Sequence, residues 1–432
     1  MNYQEALNYI HNTYKFGSKL GLENITYLLE LMGNPQEELK VIHVAGTNGK
    51  GSTSSFIHSV LMTQGYKVGL YTSPYLEEFT ERMRINGKNI PKEVLAEITT
   101  FIKEKVQEML ARGMQHPTEF EIVTAIGFEY FKREKVDFVV LEVGLGGRGD
   151  STNVVKSPLV SVITPIDFDH TDYLGDTLEK IAFEKAGIIK ENSYVVSYPQ
   201  KEEAMKVIED VCTARNAKLR KAAIDAIAII EQSDKGQVFH GNYGDETLEN
   251  LEIRMLGAHQ VQNAVLALTA LFTLEKGHHI KISKEALYEG LKNSIWPGRL
   301  EIMQQNPIVL IDGAHNVHGI KALTKVLKDL FKGKNIILGI GILGDKDVDP
   351  MLAEIIPLAT NVVLTEPDNP RALAVEKLSE KVAKYEKTVS KKKKISEAVE
   401  TALSLANEED VVVFAGSLYM IGEVRRILRN LQ

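Results

Sequence analysis

Short, almost uninterrupted apolar runs alternate with amphipathic stretches along nearly the whole chain, and that pattern leaves few folds open. Residues 41–45, 67–72, 137–143, 160–166 and 194–197 read as strands, with helical spacing over 91–112, 118–132 and 177–190 between them. A strand apolar on both faces needs cover on both, which helical crossovers between parallel strands provide. The expected fold class is therefore α/β, built on a large, mostly parallel sheet with helices on both faces. Residues 226–255 depart from the alternation, with short β-like runs and Gly-rich turns that suggest a small antiparallel excursion. Helix-like segments follow at 258–274 and 283–293. Trp296-Pro297-Gly298 then stops the helical pattern, because proline restricts the residue before it and lacks an amide donor. Beyond it the alternation restarts, with strand-like runs at 308–311, 336–340, 362–365 and 411–414. Two domains, 1–296 and 297–432, suit a length of 432 residues.

Composition removes several classes of function. The balance of 51 basic against 58 acidic residues gives a net charge of −7, which argues against nucleic acid as a partner. Cys212 is the one cysteine, so neither an internal disulfide nor a thiolate metal cluster is expected. The amino terminus lacks the basic start and apolar block of a signal peptide; Tyr3, Leu7, Ile10 and Tyr14 recur at helical spacing instead. No apolar run approaches the ~18 residues of a membrane span. A cytoplasmic protein without a membrane partner, and a monomer, is the expectation. The lysine run at 391–394 reads as a solvated cluster at a helix start.

Within this frame the segment VIHVAGTNGKGSTSSFIHSVL, residues 41–61, places three glycines at a strand-to-helix turn. The usual phosphate-loop spacing G-x-x-x-x-G-K-[ST] would need glycine at Val44 and Ser or Thr at Gly51, so the segment departs from it twice. The context still favours phosphate. Unpaired amides at a helix start attract anions, residues without Cβ allow close approach, and Lys50 adds a cation on a flexible stem. Thr47, Asn48, Gly49, Lys50, Gly51 and Ser52 are the candidate nucleotide-binding residues.

Other positions admit two readings. Glu142 closes the apolar run DFVVLEV, where ligands collect above parallel sheets; it is either a magnesium ligand or a structurally paired carboxylate. His170 follows the next strand, and magnesium's preference for oxygen favours a hydrogen-bonding role. Lys185 lies on an amphipathic segment, where a surface lysine is the ordinary interpretation. Thr118 and Glu121 form a capping-box pattern before an apolar helix. Residues 147–151 spell GRGDS, an adhesion sequence, against which the absent signal peptide and the lone cysteine weigh.

The stretch AGTNGKGST resembles the variant phosphate loop of the Mur ligase superfamily, and GTNGKGS that of its folate branch, the folylpolyglutamate and dihydrofolate synthases. TSPYLEEFTERMRING, LEVGLGGRGDSTNV, ITPIDFDHTDYLG, EKAGIIK, WPGRLE, IDGAHN and FAGSLYMIGEVR resemble that family's motifs in its order. The resemblance implies a P-loop-type first domain and a Rossmann-like second one. It implies ATP and two magnesium ions as cofactors, with Ser73, Glu142 and His170 as metal ligands and Lys185 carbamylated. Lys50, Lys185, His170 and His315 become the catalytic set. Asn263 is placed at the adenine side, and Arg299, Asp312 and His315 at the nucleotide from the second domain. Thr118 lies beside the pterin, and Arg148, Gly149, Asp150 and Ser151 form a substrate loop, although the family usually carries a larger residue than Gly149. The implied substrates are L-glutamate and a reduced folate, dihydropteroate, or both. A Mur ligase using a UDP-linked substrate would need a further domain before the loop, for which 49 residues ahead of Lys50 leave little room. A regulatory NTPase remains the alternative from another class.

Overall fold

The computed structural model describes residues 1–17 and 21–431, which form two compact units. The first comprises Met1–Ala228, His240–Leu251 and Gln262–Ser294; the second comprises Ile229–Phe239, Glu252–Val261 and Ile295–Gln432.

Eight strands build the sheet of the first unit: β1 (Val41–Ala45), β2 (Val68–Tyr71), β3 (Met83–Ile85), β4 (Lys88–Asn89), β5 (Phe138–Glu142), β6 (Val160–Ile163), β7 (Tyr194–Ser197) and β8 (Lys218–Lys221). Their order is β4-β3-β2-β5-β1-β6-β7-β8, parallel from β2 to β8, with β3 and β4 added antiparallel at one edge. β1 and β5 are buried along their full length. Val41, Val139, Leu141 and Tyr71 share one core with helices Lys92–Ala111 and Glu119–Arg133. Each such fully buried aliphatic side chain contributes about 1.5–3 kcal/mol. The helix Lys50–Thr63 crosses helix Lys284–Lys292 at close range: a Cβ on Gly290 would stand 2.5 Å from Val60 Cα, and Ser59 Oγ donates to the Gly290 carbonyl at 2.7 Å.

The excursion expected at 226–255 is a three-stranded sheet, β9 (Ala228–Ser233), β10 (Gly236–Tyr243) and β11 (Glu246–Ile253), in the order β11-β10-β9. In the second unit β12 (Glu301–Gln305), β13 (Ile308–Asp312), β14 (Ile336–Ile340), β15 (Asn361–Leu364), β16 (Thr388–Lys391) and β17 (Val411–Ala415) are ordered β12-β13-β17-β14-β15-β16. Only β12 runs antiparallel to its neighbour. The strands absent from the sequence expectation, including β3, β4, β8, β12 and β16, lie at or beside sheet edges. Their exposed positions carry Lys, Arg, Glu and Gln, which breaks the apolar run that marks a central strand. Among the described residues, no helix is long and apolar enough to cross a membrane.

Candidate active site

β5, β1 and β6 are neighbours, so their carboxyl ends stand side by side, with Val44 opposite Glu142 and Ala45 opposite Ile163. The loop leaving β1 begins at Gly46, where φ is 150° and a Cβ would stand 1.8 Å from Thr164 Oγ1. Gly49 caps the following helix at φ 83°, and a Cβ there would come within 2.5 Å of Asn263 Oδ1. Both positions exclude a side chain, so bare main chain forms the wall of the turn. The helical ladder starts with the Thr53 amide, bonded to the Gly49 carbonyl at 2.9 Å. The amides of Lys50, Gly51 and Ser52 therefore precede it, at the positive end of the helix.

The amides of Thr47 and Asn48 are already engaged. Both amides donate to the Pro165 carbonyl, at 2.9 and 3.2 Å, and the Thr47 hydroxyl donates to the Asp167 carbonyl at 3.0 Å. These bonds pin the loop to the exit of β6 and leave the amides of residues 49–52 outside that attachment. A test follows from the geometry. Gly49→Ala is expected to weaken ATP binding, measured by calorimetry, at least about tenfold, since it adds both backbone strain and a collision. Gly113, at φ 79° with open space around it, is the control: its alanine variant carries the strain without the contact and should leave affinity unchanged.

Two lysines converge on one carbonyl. Lys50 Nζ donates to the Gly46 and Thr47 carbonyls at 3.2 and 3.3 Å. Lys185, on helix Leu178–Ala186, is 3% exposed and reaches the Gly46 carbonyl at 2.8 Å. The surface-lysine interpretation is thereby overturned. Burial first, then the charge of Lys50, lowers the Lys185 pKa to about 7, against the opposing pull of Asp169 and Asp150. An amine partly neutral near physiological pH is a nucleophile, whereas an exposed lysine is not.

Glu142 is buried at the end of β5. Ser73 follows β2, the neighbour of β5 on the side away from β1. His170 sits in the left-handed region at φ 52°, just before the short helix Thr171–Leu174, with Nε2 3.9 Å from Asp169 Oδ1. Among the described residues no group of three or more His, Cys, Asp or Glu is placed to hold a metal by itself. Ser73 and Glu142 offer oxygens, the donor type magnesium takes together with substrate phosphates, whereas His170 offers a nitrogen.

Residues 44–271 match the Mur ligase middle domain, and residues 298–418 match the Mur ligase glutamate ligase domain. A Bacillus subtilis (strain 168) protein, dihydrofolate synthase/folylpolyglutamate synthase, is 39% identical over 434 residues, covering 99% of each chain. The chain belongs to the folylpolyglutamate synthase/dihydrofolate synthase family of Mur ligases. The crystal structure of Thermotoga maritima folylpolyglutamate synthase is 37% identical with a TM-score of 0.88, covering 100% of this chain and 97% of that one. Mycobacterium tuberculosis folylpolyglutamate synthase complexed with ADP and AMPPCP is 31% identical with a TM-score of 0.90, covering 99% of each.

In this Mur ligase the loop after β5 behaves differently from a simple substrate-contact loop. Arg148 points its guanidinium at Glu184 Oε1, at 3.1 Å from Nε and 2.7 Å from Nη2, and stacks over Phe183. Asp150 is 3% exposed and its carboxylate accepts from the amides of Leu145 and Thr152 at 2.8 and 3.0 Å. The carboxylate thus shapes the turn, and an adhesion receptor has no access to an aspartate held this way. Ser151 is buried beside it, while Gly149 offers its carbonyl to the Gly21 amide at 3.0 Å. Thr118 is buried too, and its hydroxyl donates to Glu121 Oε2 at 2.9 Å in a complete capping box, so the cap accounts for it. Phe120, which sequence reasoning missed, packs on this loop: a Cβ on Gly144 would stand 2.4 Å from its ring. The only signal for it was its place in the first turn of the capped helix.

In the second unit Asp312 ends β13 and is buried, accepting from the Leu300 and Ala314 amides at 2.8 Å each. Burial raises its pKa, while Arg299 and those amides oppose the rise. His315 Nδ1 stands 2.7 Å from the Gly313 carbonyl and therefore carries the proton. Ser417, just beyond β17, has a buried hydroxyl without a hydrogen-bond partner among the described residues; the sequence reading did not single it out.

Proposed function

We propose that the chain joins L-glutamate to the carboxylate of a reduced folate or of dihydropteroate, at the expense of ATP. The observation that carries this is the side-chain-free turn at Gly46–Gly49 with Lys50 and Lys185 meeting at the Gly46 carbonyl. Residues 1–296 form the ATP-binding domain in this reading, and residues 297–432 the second ligase domain. A carboxylate oxygen of the acceptor attacks the γ-phosphorus, the bond to the β-phosphate oxygen breaks, and ADP departs. The amine of glutamate then attacks the acyl carbon, phosphate leaves, and the amine gives up a proton. The protein mainly positions groups and neutralises charge.

The Gly49–Ser52 amides and Lys50 hold the β- and γ-phosphates, and Asn263, beside Gly49, serves the adenine side. Ser73, Glu142 and His170 would hold magnesium, which would supply charge neutralisation at the phosphates. Lys185 is carbamylated: its neutral amine adds CO2 and releases a proton, which turns a buried cation into an anion suited to a second magnesium. Arg299, Asp312 and His315 belong to the second ligase domain in this reading. A monomer in the cytoplasm accompanies this reading.

Phosphate release measured with ATP, L-glutamate and each of dihydropteroate and tetrahydrofolate tests it. Release is expected only when an acceptor and glutamate are both present. ATP turnover indifferent to both organic substrates would leave a regulatory NTPase instead.

A further inference from the structure

A line of buried polar contacts runs beneath the site and takes no part in the reaction described above. His43 lies in the middle of β1, fully buried, three residues before Gly46. Its Nε2 is 2.9 Å from Thr152 Oγ1, and that hydroxyl is 2.6 Å from Asp150 Oδ1. Burial pushes the Asp150 carboxyl pKa up. Both of its oxygens nevertheless accept main-chain N–H groups, and Lys185 stands nearby, so the site is built for the carboxylate. A carboxylate only accepts; the Thr152 hydroxyl therefore donates to Asp150 and accepts from His43 Nε2–H. Burial keeps the ring neutral, so the second nitrogen, Nδ1, is a bare acceptor, buried with no hydrogen-bond partner among the described residues. Keeping a half-satisfied histidine in a central apolar strand costs stability, which implies a return elsewhere.

The far side of the same loop is fastened to the helix that carries Lys185. The Arg148 amide donates to the Glu184 carbonyl at 2.7 Å, and Asn153 Nδ2 donates to the Arg148 and Gly187 carbonyls at 3.0 and 3.2 Å. A Cβ on Gly147 would stand 2.6 Å from the Glu184 oxygen, and one on Gly187 would stand 2.4 Å from Arg148 Cα. Lys185 in turn holds the Gly46 carbonyl. The contacts thus close a ring: phosphate loop, Lys185 helix, substrate loop, and back to the phosphate strand through Asp150, Thr152 and His43.

We propose that His43 and Thr152 are positioning residues for the acceptor, holding the loop at 144–151 in register with the phosphate loop so that the incoming carboxylate lines up with the γ-phosphorus. This rests on the proposed ligase function and on residues 148–151 being the substrate loop that the resemblance implies. Neither residue touches substrate, so the effect acts through Asp150 and the turn it shapes.

Thr152→Val keeps the shape and removes the hydroxyl, whereas Thr152→Ser keeps the hydroxyl. In the full-length enzyme Thr152→Val is expected to raise the KM for tetrahydrofolate or dihydropteroate at least about tenfold, with the KM for ATP within about twofold of wild type. Thr152→Ser should stay near wild type. Deuterium uptake should rise in peptides spanning 144–153 and not in those spanning 46–63. His43→Leu should reproduce Thr152→Val, His43→Gln should restore the donor, and the double variant His43→Leu with Thr152→Val should be no worse than either single change. Unchanged acceptor KM and uptake in Thr152→Val would overturn the proposal, as would equal losses for ATP and acceptor with exchange raised throughout. Should Thr152→Val fail to fold, the His43→Leu and His43→Gln pair decides by the same readings. A wild-type enzyme that makes no amide with either pteroate removes the ligase reading, while the exchange comparison still decides the linkage.

Discussion

Replacing Lys185 by methionine is expected to abolish ligation while making the substrate-free protein more resistant to heat. The two effects share one cause. Lys185 is fully buried, and desolvation with the nearby Lys50 charge lowers its pKa to about 7. The unfolded chain keeps a lysine near its usual value of about 10.4. Between these values the unfolded state binds more protons, so this group's contribution to stability rises with pH across that window. Below pH 7 both states are protonated, and the folded protein bears the full cost of a buried ammonium. Methionine removes that cost, so its gain in Tm should be largest at pH 6 and shrink as pH approaches 10. Turnover should fall by about two to three orders of magnitude, the range for losing one preorganised charge at a reacting centre. Thermal melts from pH 6 to 10 and phosphate-release rates check both halves. A Met variant that melts below wild type at pH 6, or that keeps its turnover, would contradict the assignment. Peptide mass spectrometry under CO2 should find the added mass of one CO2 on Lys185 in the wild type.

Much of this arrangement was legible in the chain because central parallel strands announce themselves. β1, β5 and β6 are buried throughout and mostly apolar, and a glycine turn between such a strand and a helix is well suited to holding an anion. Edge strands were not legible. β8 is KLRK and β16 is TVSK, and nothing in either pattern separates them from loop. The site was read less accurately where a polar residue faces inward. Asp150 is placed at the substrate by the family resemblance alone; the structure shows its carboxylate shaping the turn from inside. His43 gave no signal beyond being one polar letter in an apolar run. Lys185 carried a usable sign: with Leu178 and Ile181 it falls on the apolar stripe of its helix, seven and four residues after them. A cation on that stripe is either paired or neutral. Which of the two applies depends on Gly46 and Lys50, far away in sequence.

Truncating Lys50 to alanine is expected to stop ligation for two reasons that experiment can separate. The first is direct, since the ammonium that neutralises the β- and γ-phosphates is gone; turnover should fall by about two to three orders of magnitude. The second acts through Lys185, whose pKa is depressed in part by the Lys50 charge. Removing that charge should let the Lys185 pKa climb, leave less neutral amine at pH 7 and reduce its carbamylation. Raising pH and CO2 together should therefore restore the modification on Lys185 in the variant without restoring turnover. Lys50→Arg should not substitute, because the planar guanidinium needs a wider approach than the turn between Gly46 and Gly49 allows. The fold itself should tolerate the change. Lys50 contributes two hydrogen bonds to the Gly46 and Thr47 carbonyls, each worth about 0.5–1.5 kcal/mol, so the melting temperature should drop by only a few degrees. A variant that keeps wild-type turnover would remove Lys50 from the phosphates. One that recovers turnover once Lys185 is carbamylated again would show that its whole effect runs through the second lysine.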